Sequence, residues 1–510
     1  MSRYAAIDIG SNSVRMQAEE VSSGVQTRVL AAERQVTRLG ESVFRTGFIS
    51  REAMDFVCQT LTGMARTYQQ LDVIGIRAVA TSAVRDARNS AEFLEKASQA
   101  IGAPVEVISG QEEARLIHLG VQARWPHPTQ RVLIVDIGGG SAELILSERG
   151  NLVEAFSQPL GAVRLTEVFL QHDPPETAEL HRMNEYILEK LGTAIRRIGG
   201  GPWHRAIATA ATASAVVCAV NRVPRANRDA ADRFRATAGQ VRRFYEDVST
   251  KALSARRKLT GIGPRRAEII VPGAALLFQV ARSFRLSGFY YSAAGVRDGI
   301  IADLAARRVG QELSRLSREQ RKVVEVMARR YGVSVPHARK VAGLAHTMFE
   351  SLQPLHQLPP AAGKLLEAAA YLHDVGHYVS DTKHHKHSHY LVSNSDMPGF
   401  TERERFIIAN LCRYHRRAMP GALHDNFATL NGEEKKTVEL LAPLLRMADS
   451  LDRSHHQLIE KLECHLRDGS VVLRLRSEGD IDLEEWAGER AAEIFHQVYK
   501  HPVSIVKERG

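Results

Sequence analysis

The chain has 510 residues, too many for one hydrophobic core, and at roughly 100 to 200 residues per domain it divides into three or four folded units. With 44% hydrophobic and 25% charged residues, the composition excludes wholesale disorder and a fibrous architecture. Lys and Arg outnumber Asp and Glu by 68 to 58, a net charge of +10, which suits an anionic partner such as a phosphate chain or nucleic acid and is equally met by a merely basic surface.

The chain enters a strand pattern at once, with no basic-then-apolar leader. No apolar run approaches the roughly 18 residues that span a bilayer, so a soluble protein without a membrane partner is expected. Residues 7–13 read IDIGSNS and residues 135–141 read VDIGGGS. In both, an Asp sits in an apolar run and precedes a turn that needs backbone freedom, the way a buried strand ends and loops closely around an anion. Asp8 and Asp136 lie 128 positions apart, and RAVATSA (77–83) and RAIATAA (205–211) repeat at the same offset. The first half therefore reads as two copies of one domain. Each copy opens with a strand, a tight turn and further strand-like runs (VRMQAEEV and QTRVLAAE; AELILSE and LVEAFSQ), followed by helices and a later strand ending near Thr81 or Thr209. This is a mixed α/β order, with lobes at 1–125 and 126–305 whose strand ends and turns floor a shared cleft.

From about residue 306 strands give way to helical patterns, including PHARKVAGLAHTMFESL, AAGKLLEAAAYLHDVGHY and TERERFIIANLCRYHRR, so 306–461 reads as an all-α unit. Residues 462–510 return to alternation in VVLRLRS and VSIVKE around a helix-like DLEEWAGERAAEIFHQVY, a small α/β subdomain. Cys58, Cys218, Cys412 and Cys464 are far apart and form no CxxC pair. Neither a disulfide framework nor a thiolate zinc site is expected, which fits a cytoplasmic protein.

A phosphate needs converging N–H donors, cations to offset its charge and a base to orient attacking water. Gly10, Ser11, Asn12 and Ser13 in one turn, with Gly138, Gly139, Gly140 and Ser141 in the other, supply amides and hydroxyls. Asp8 and Asp136 at the strand ends can hold Mg²⁺ directly or through water, or cap their own turns. Glu143, two residues beyond Ser141, lies on the same strand face as that loop residue. Ser109 and Glu112 have capping-box spacing, which gives Glu112 a structural task. Glu113 has none and points elsewhere; it can deprotonate water, or simply place favourable charge at a helix N-terminus. Arg85, following a strand and turn, has a guanidinium fork suited to phosphate, and Arg297 is a weaker candidate for the same service.

These residues resemble the exopolyphosphatase and guanosine pentaphosphate phosphohydrolase (Ppx/GppA) family. The resemblance runs through AIDIGSNSVRM, ATSAVRDARN, ISGQEEARLIHLG, VDIGGGSAEL, PRRAEIIVPGA and GVRDGII. It implies a duplicated actin-like (ribonuclease-H-like) ATPase fold over residues 1 to about 305, and the helical part is similar to this family's longer members. By resemblance Glu113 matches the general base, Arg85 a phosphate-binding arginine, and Asp136 and Glu143 carboxylates that organise metal and water. Asn12, Ser13, Arg15 and the 138–141 turn match the cradle. The implied reaction is Mg²⁺-dependent, stepwise hydrolysis of terminal phosphoanhydrides of polyphosphate, with a homodimer as the implied assembly and nucleic acid not expected as a partner. Guanosine pentaphosphate hydrolysis, a slowly turning polyphosphate or alarmone sensor, and a sugar-kinase-like transferase are the alternatives. Ala210 and Ala211 stand where relatives commonly carry a Gly-rich turn. Because Ala does not easily take a positive φ, a plain phosphate chain is expected over a snugly held nucleotide.

The helical part resembles HD phosphohydrolases through YLHDVGH. In that scheme His337, His373, Asp374 and Asp449 bind one divalent metal, and imidazole with carboxylate suits Mn²⁺, Fe²⁺ or Zn²⁺. His415, His387 or His389 is then the candidate for a second site. A scaffold without metal is the alternative, and KHHKHSH (383–389) reads as a polar loop.

Overall fold

Two meanders of the same design organise the first half of the computed structural model, which describes residues 2–22, 27–307, 314–421, 423–467 and 469–509. In one, β1 (Ser2–Ile9), β2 (Ser13–Val21) and β3 (Thr27–Val36) run antiparallel, and β4 (Gly75–Ala80) and β5 (Val105–Val107) add in parallel on the other side of β1, giving the order β3-β2-β1-β4-β5. In the other, β6 (Arg131–Ile137), β7 (Ala142–Glu148) and β8 (Asn151–Gln158) repeat the meander. There β9 (Arg205–Thr209) and β11 (Gly288–Tyr291) extend it in parallel, and β10 (Arg235–Thr237) closes the edge of the sheet antiparallel to β11. The repeated central strands are apolar on both faces because helices cover both. Along β6, Leu133, Val135 and Ile137 enter one core while Val132 and Ile134 enter another, the period-2 alternation of a strand buried on both sides.

The chain divides into compact units Met1–Gly310 and Gln311–Gly510. Within the first, helix Val296–Ala306 does not stay with the lobe that its position in 126–305 implies. Its Ile300, Ile301 and Leu304 share a core with Tyr4, Ala6 and Val79 of the first sheet. It reaches that place by lying against helix Gly110–Arg124 so closely that a Cβ on Gly299 would fall 1.8 Å from the Leu116 carbonyl oxygen. Helix Gly110–Arg124 in turn sends Ile117 and Val121 into the second lobe's core. The two helices thus interlock the lobes. Arg77 and Arg115 seal the join by ion pairs to Glu112 and Asp303, all four side chains buried. The Ser109 hydroxyl caps the helix by accepting from the Glu112 N–H, but the Glu112 carboxylate serves these arginines, a role that capping-box spacing does not reveal.

The second unit is a helical bundle, including Val335–Ser351, Ala361–Leu372, Glu402–Tyr414 and Gly432–Ser450, followed by β12 (Lys461–Arg467), β13 (Ser470–Ser477) and β14 (Val503–Arg509) with helix Asp482–Tyr499 packed on them. The terminal segment is not a separate subdomain with its own core. Leu462, Leu473, Leu475 and Phe495 belong to the same apolar cluster as Leu441, Leu445 and Met447 of the bundle. KHHKHSH is no loop either: helix His384–Ser393 contains most of it, with His384 and His385 buried. Among the described residues no helix is long and apolar enough to cross a membrane.

Candidate active site

Asp8 and Asp136 occupy equivalent places near the C-terminal ends of β1 and β6, and the turns that follow close with the same backbone bond, Gly10 N–H to Ser13 O and Gly138 N–H to Ser141 O, each 3.1 Å. The glycines of the second turn are needed for space, and none of the three has a positive φ. A Cβ on Gly140 would lie 2.6 Å from Ser11 Oγ and 2.5 Å from Ser82 Oγ, so any larger residue there has to displace both hydroxyls. Between them opens a cleft of about 970 Å³ whose wall includes Asp8, Asn12, Arg15, Glu113, Asp136 and Ser141.

Glu113 projects from the first turn of helix Gly110–Arg124 into this cleft. Arg85, in the short helix after β4, donates to the Ile108 carbonyl at 2.7 Å, and its Nη1 stands 3.6 Å from Glu113 Oε2. The Asp136 carboxylate accepts from Thr209 Oγ1 at 2.5 Å. Glu143, with no exposure, accepts from Ser157 Oγ at 2.7 Å through Oε1, whereas its Oε2 is buried without a hydrogen-bond partner. Burial raises every one of these acids. Glu113 is pushed up to about 8, with Arg85 opposing and Asp8 and Asp136 adding to the effect. Asp136 rises to about 6 through burial, against the Thr209 hydrogen bond and Arg15. Glu143 lies well above the ordinary carboxylate range through burial and then the charges of Glu113 and Asp136. Asp8 is raised by burial and pulled back by Arg15 and Arg297.

Buried carboxylates that crowd one another, with Glu113 Oε2 and Glu143 Oε2 both making no hydrogen bond, are a poor arrangement for protons and a good one for a hard divalent cation. The residues present fit Mg²⁺: Asp136 and Glu143 as the principal carboxylates, and Asp8 nearby. The same cleft is also lined by cations. Arg15 and Arg34 are cross-strand partners on β2 and β3. Arg34 is lowered to about 9 by burial and then by Arg15, Arg266, Arg228 and Arg297. Arg266 is lowered to about 10 by burial and Arg15. Like charges placed directly opposite across strands destabilise a sheet, so this crowding calls for an anion. Arg34, Arg228 and Arg266 were not singled out by the sequence reading. Arg266 stands in the PRRAEII motif, but nothing local marks Arg34, whose role comes from its neighbours across the sheet.

Ala210 corrects one expectation. It lines the cleft and adopts φ +62°, the left-handed conformation that glycine prefers. Ala at this position therefore does not prevent the backbone shape, and its φ gives no preference for a phosphate chain over a nucleotide; what remains is a methyl group on the wall.

In the second unit His337, His373, Asp374 and Asp449 do come together. His373 Nε2 is 3.4 Å from Asp374 Oδ2 and 3.3 Å from Asp449 Oδ1, and His337 Nε2 is 3.5 Å from Asp449 Oδ1. His415 Nε2 lies 3.7 Å from Asp374 Oδ1. His377 and His384, assigned no role from sequence, reach the same carboxylate oxygen at 3.6 and 3.5 Å. His389 instead lies 3.5 Å from Ser393, and among the described residues His387 joins no close group of metal-type donors. The missed signal was spacing: His377 is three residues after Asp374, one helical turn.

Residues 18–308 match the model of the Ppx/GppA phosphatase family, and residues 320–486 match the model of that family's domain III. The chain belongs to the Ppx/GppA phosphatase family. A solved Ppx/GppA family member from Aquifex aeolicus is 27% identical over 60% of this chain and 98% of its own, with a TM-score of 0.53. An exopolyphosphatase-like protein is 27% identical over 60% of this chain and 98% of its own, with a TM-score of 0.56. An exopolyphosphatase from Cytophaga hutchinsonii, at 24% identity and a TM-score of 0.54 over 59% of this chain and 97% of its own, shares the fold. The two lobes are the duplicated actin-like fold of these Ppx/GppA proteins, here followed by the helical second unit.

Proposed function

We propose that the cleft of this Ppx/GppA phosphatase hydrolyses the terminal phosphoanhydride of inorganic polyphosphate and releases orthophosphate. The observation that carries the reading is the division of the cleft into a carboxylate pocket (Glu113, Asp136, Glu143) and an arginine wall drawn from both lobes (Arg15, Arg34, Arg228, Arg266, Arg297). A chain of phosphates carries charge along its whole length and engages such a wall repeatedly, whereas guanosine pentaphosphate interrupts its charge with an uncharged nucleoside.

The terminal phosphoryl group rests against the Gly10–Ser13 and Gly138–Ser141 turns, both of which line the cleft. Glu113 takes a proton from water as the new O–P bond forms, and the bridging P–O bond breaks on the opposite side. The departing chain end keeps the electron pair, and the arginines hold its charge. A carboxylate with a pKa near working pH is an effective base, and Arg85 steadies Glu113 in its ionised form. Asp136 and Glu143 would hold Mg²⁺, which when bound offsets phosphate charge.

The deciding experiment measures orthophosphate release from long-chain polyphosphate, guanosine pentaphosphate and ATP, with and without Mg²⁺. The highest specificity constant on long-chain polyphosphate supports the proposal. A higher constant on guanosine pentaphosphate replaces it, and tight polyphosphate binding without release makes the cleft a sensor.

A further inference from the structure

The Gly138–Ser141 turn is held from behind by the start of helix Ala162–Phe169. Gly138 O accepts from Ala162 N–H at 3.0 Å, Gly139 O from the Val163 and Arg164 N–H groups at 2.9 and 3.1 Å, and Gly140 O from Arg164 Nε at 2.8 Å. The helix start sits directly on the turn, since a Cβ on Gly161 would lie 2.3 Å from Gly139 O and Gly140 N. In a trans peptide the N–H points opposite to the C=O, so the N–H groups of Gly139, Gly140 and Ser141 face away from this helix. Among the described residues none of these three N–H groups finds a backbone acceptor, and all three residues line the cleft. Unspent N–H groups side by side in a turn form an anion-binding surface. The last of them, on Ser141, takes its direction from the Gly140 carbonyl and therefore from a side chain, that of Arg164.

The same side chain reaches out of the second lobe into the first. There Arg164 Nη2 donates to Ser82 Oγ at 3.0 Å and to the Asp86 carboxylate. Its Cζ stands 4.0 Å from the centre of the Phe44 ring, a cation–π contact with helix Leu39–Thr46 of that lobe. Ser82 and Asp86 are the two ends of the five-residue helix that carries Arg85. So short a helix does not hold itself. It is fixed by its surroundings: by Arg85 on the Ile108 carbonyl and by Arg164 at both ends. We propose that Arg164 is a positioning residue, one guanidinium that sets the spacing between the Ser141 N–H of one lobe and Arg85, with Glu113 beside it, of the other. The proposal rests on the reading of the cleft as the place where a terminal phosphoryl group is hydrolysed. In that reaction the turn meets the phosphoryl oxygens and Glu113 meets the attacking water, so an error in spacing enters the reacting geometry directly. The task is specific to arginine. Its Nε and Nη2 diverge from one rigid plane to Gly140 O and to Asp86, whereas lysine offers a single nitrogen on a flexible stem.

The test compares orthophosphate release from long-chain polyphosphate by wild type, Arg164→Ala, Arg164→Lys and Asp86→Ala as full chains, with circular dichroism confirming that each is folded. Arg164→Ala should lower kcat by about 10²-fold with little change in KM, the cost of a misplaced reacting group. Millimolar guanidinium should restore much of that loss by filling the vacated place, and methylammonium at the same concentration should not. Arg164→Lys should stay close to Arg164→Ala. Asp86→Ala, which cuts only a branch into the first lobe, should lower kcat severalfold, and it decides the matter if Arg164→Ala does not fold. A parental kcat in any of the three variants, or a loss in folded Arg164→Ala that guanidinium leaves in place, overturns the positioning role. A wild type that is faster on guanosine pentaphosphate overturns the polyphosphate reading alone, and the variants are then compared on that substrate. Where wild type turns over neither, the proposed hydrolysis falls and calorimetry decides for Arg164: orthophosphate should bind more weakly to Arg164→Ala, and equal affinity overturns its role.

Discussion

At one level of the two sheets, three adjacent strands carry Asp8, Arg15 and Arg34 in the first lobe and Asp136, Glu143 and Ser157 in the second. The backbone is the same, yet the second and third positions exchange two cations for an acid and a hydroxyl. In the first lobe Asp8 faces an arginine, and the surplus charge of the row is positive. In the second, Asp136 faces another carboxylate, and the surplus is negative. Duplication supplied two equivalent rows, and their divergence left one with surplus positive charge and the other with surplus negative charge. Arg85 follows the same logic, for its counterpart at the repeat offset is Ala213. The cleft is symmetric in fold and polarised in charge.

The hardest blow to this polarity falls on Glu113. Glu113→Gln should lower kcat for orthophosphate release by about 10² to 10⁴-fold with little change in KM, the usual worth of a general base. A parental rate removes the assignment. Next, Glu143→Gln should raise the Mg²⁺ concentration that gives half-maximal rate by about 10 to 100-fold; an unchanged midpoint takes Glu143 out of the site.

The acid side also makes a pH prediction. Glu113 titrates at about 8 in the folded, metal-free chain against an ordinary 4.5, so the folded state keeps a proton that the unfolded chain releases. Its stabilising contribution is complete below about pH 4.5 and disappears as pH rises through about 8. In metal-free melts Glu113→Gln should match wild type near pH 5 and exceed its Tm increasingly toward about pH 9. A constant difference across that range contradicts the burial argument.

On the cationic side, Arg34→Ala should raise KM for long-chain polyphosphate several-fold and make the dependence of log affinity on log salt shallower by about one unit, since one fewer phosphate is neutralised. An unaltered salt slope shows that Arg34 does not touch the chain. The smallest effect is expected at Ala210→Gly. Relief of the left-handed Ala is worth about 1 kcal/mol, partly offset by the freer unfolded chain. The urea midpoint should rise slightly with an unchanged m-value, and a fall shows that the methyl packs usefully.

Much was legible before any fold was drawn. The repeat of IDIGSNS and RAVATSA announced two related lobes, and the strand-then-turn signature placed Asp8, Asp136 and the turns after them, because a strand ending and a tight turn are written in neighbouring residues. Glu113 stayed open between base and helix-terminal charge until the family resemblance matched it to the general base. The histidines were half legible: His337, His373, Asp374 and Asp449 were identified, but a tract rich in His and Lys reads as solvated loop, and His384 was passed over. Packing against the Gly376 turn turned that tract into a helix.

What the sequence by itself determined is the duplicated α/β design and the short segments that bear the chemistry. Only the tertiary structure decided which charge faces which: that Arg34 lies across from Arg15, that Glu143 backs Asp136, and that helix Val296–Ala306 returns to the first sheet. The physical reason is that alternation along a strand tells a side chain's face and not its neighbour. That neighbour comes from strand order and helix packing between residues distant in the chain.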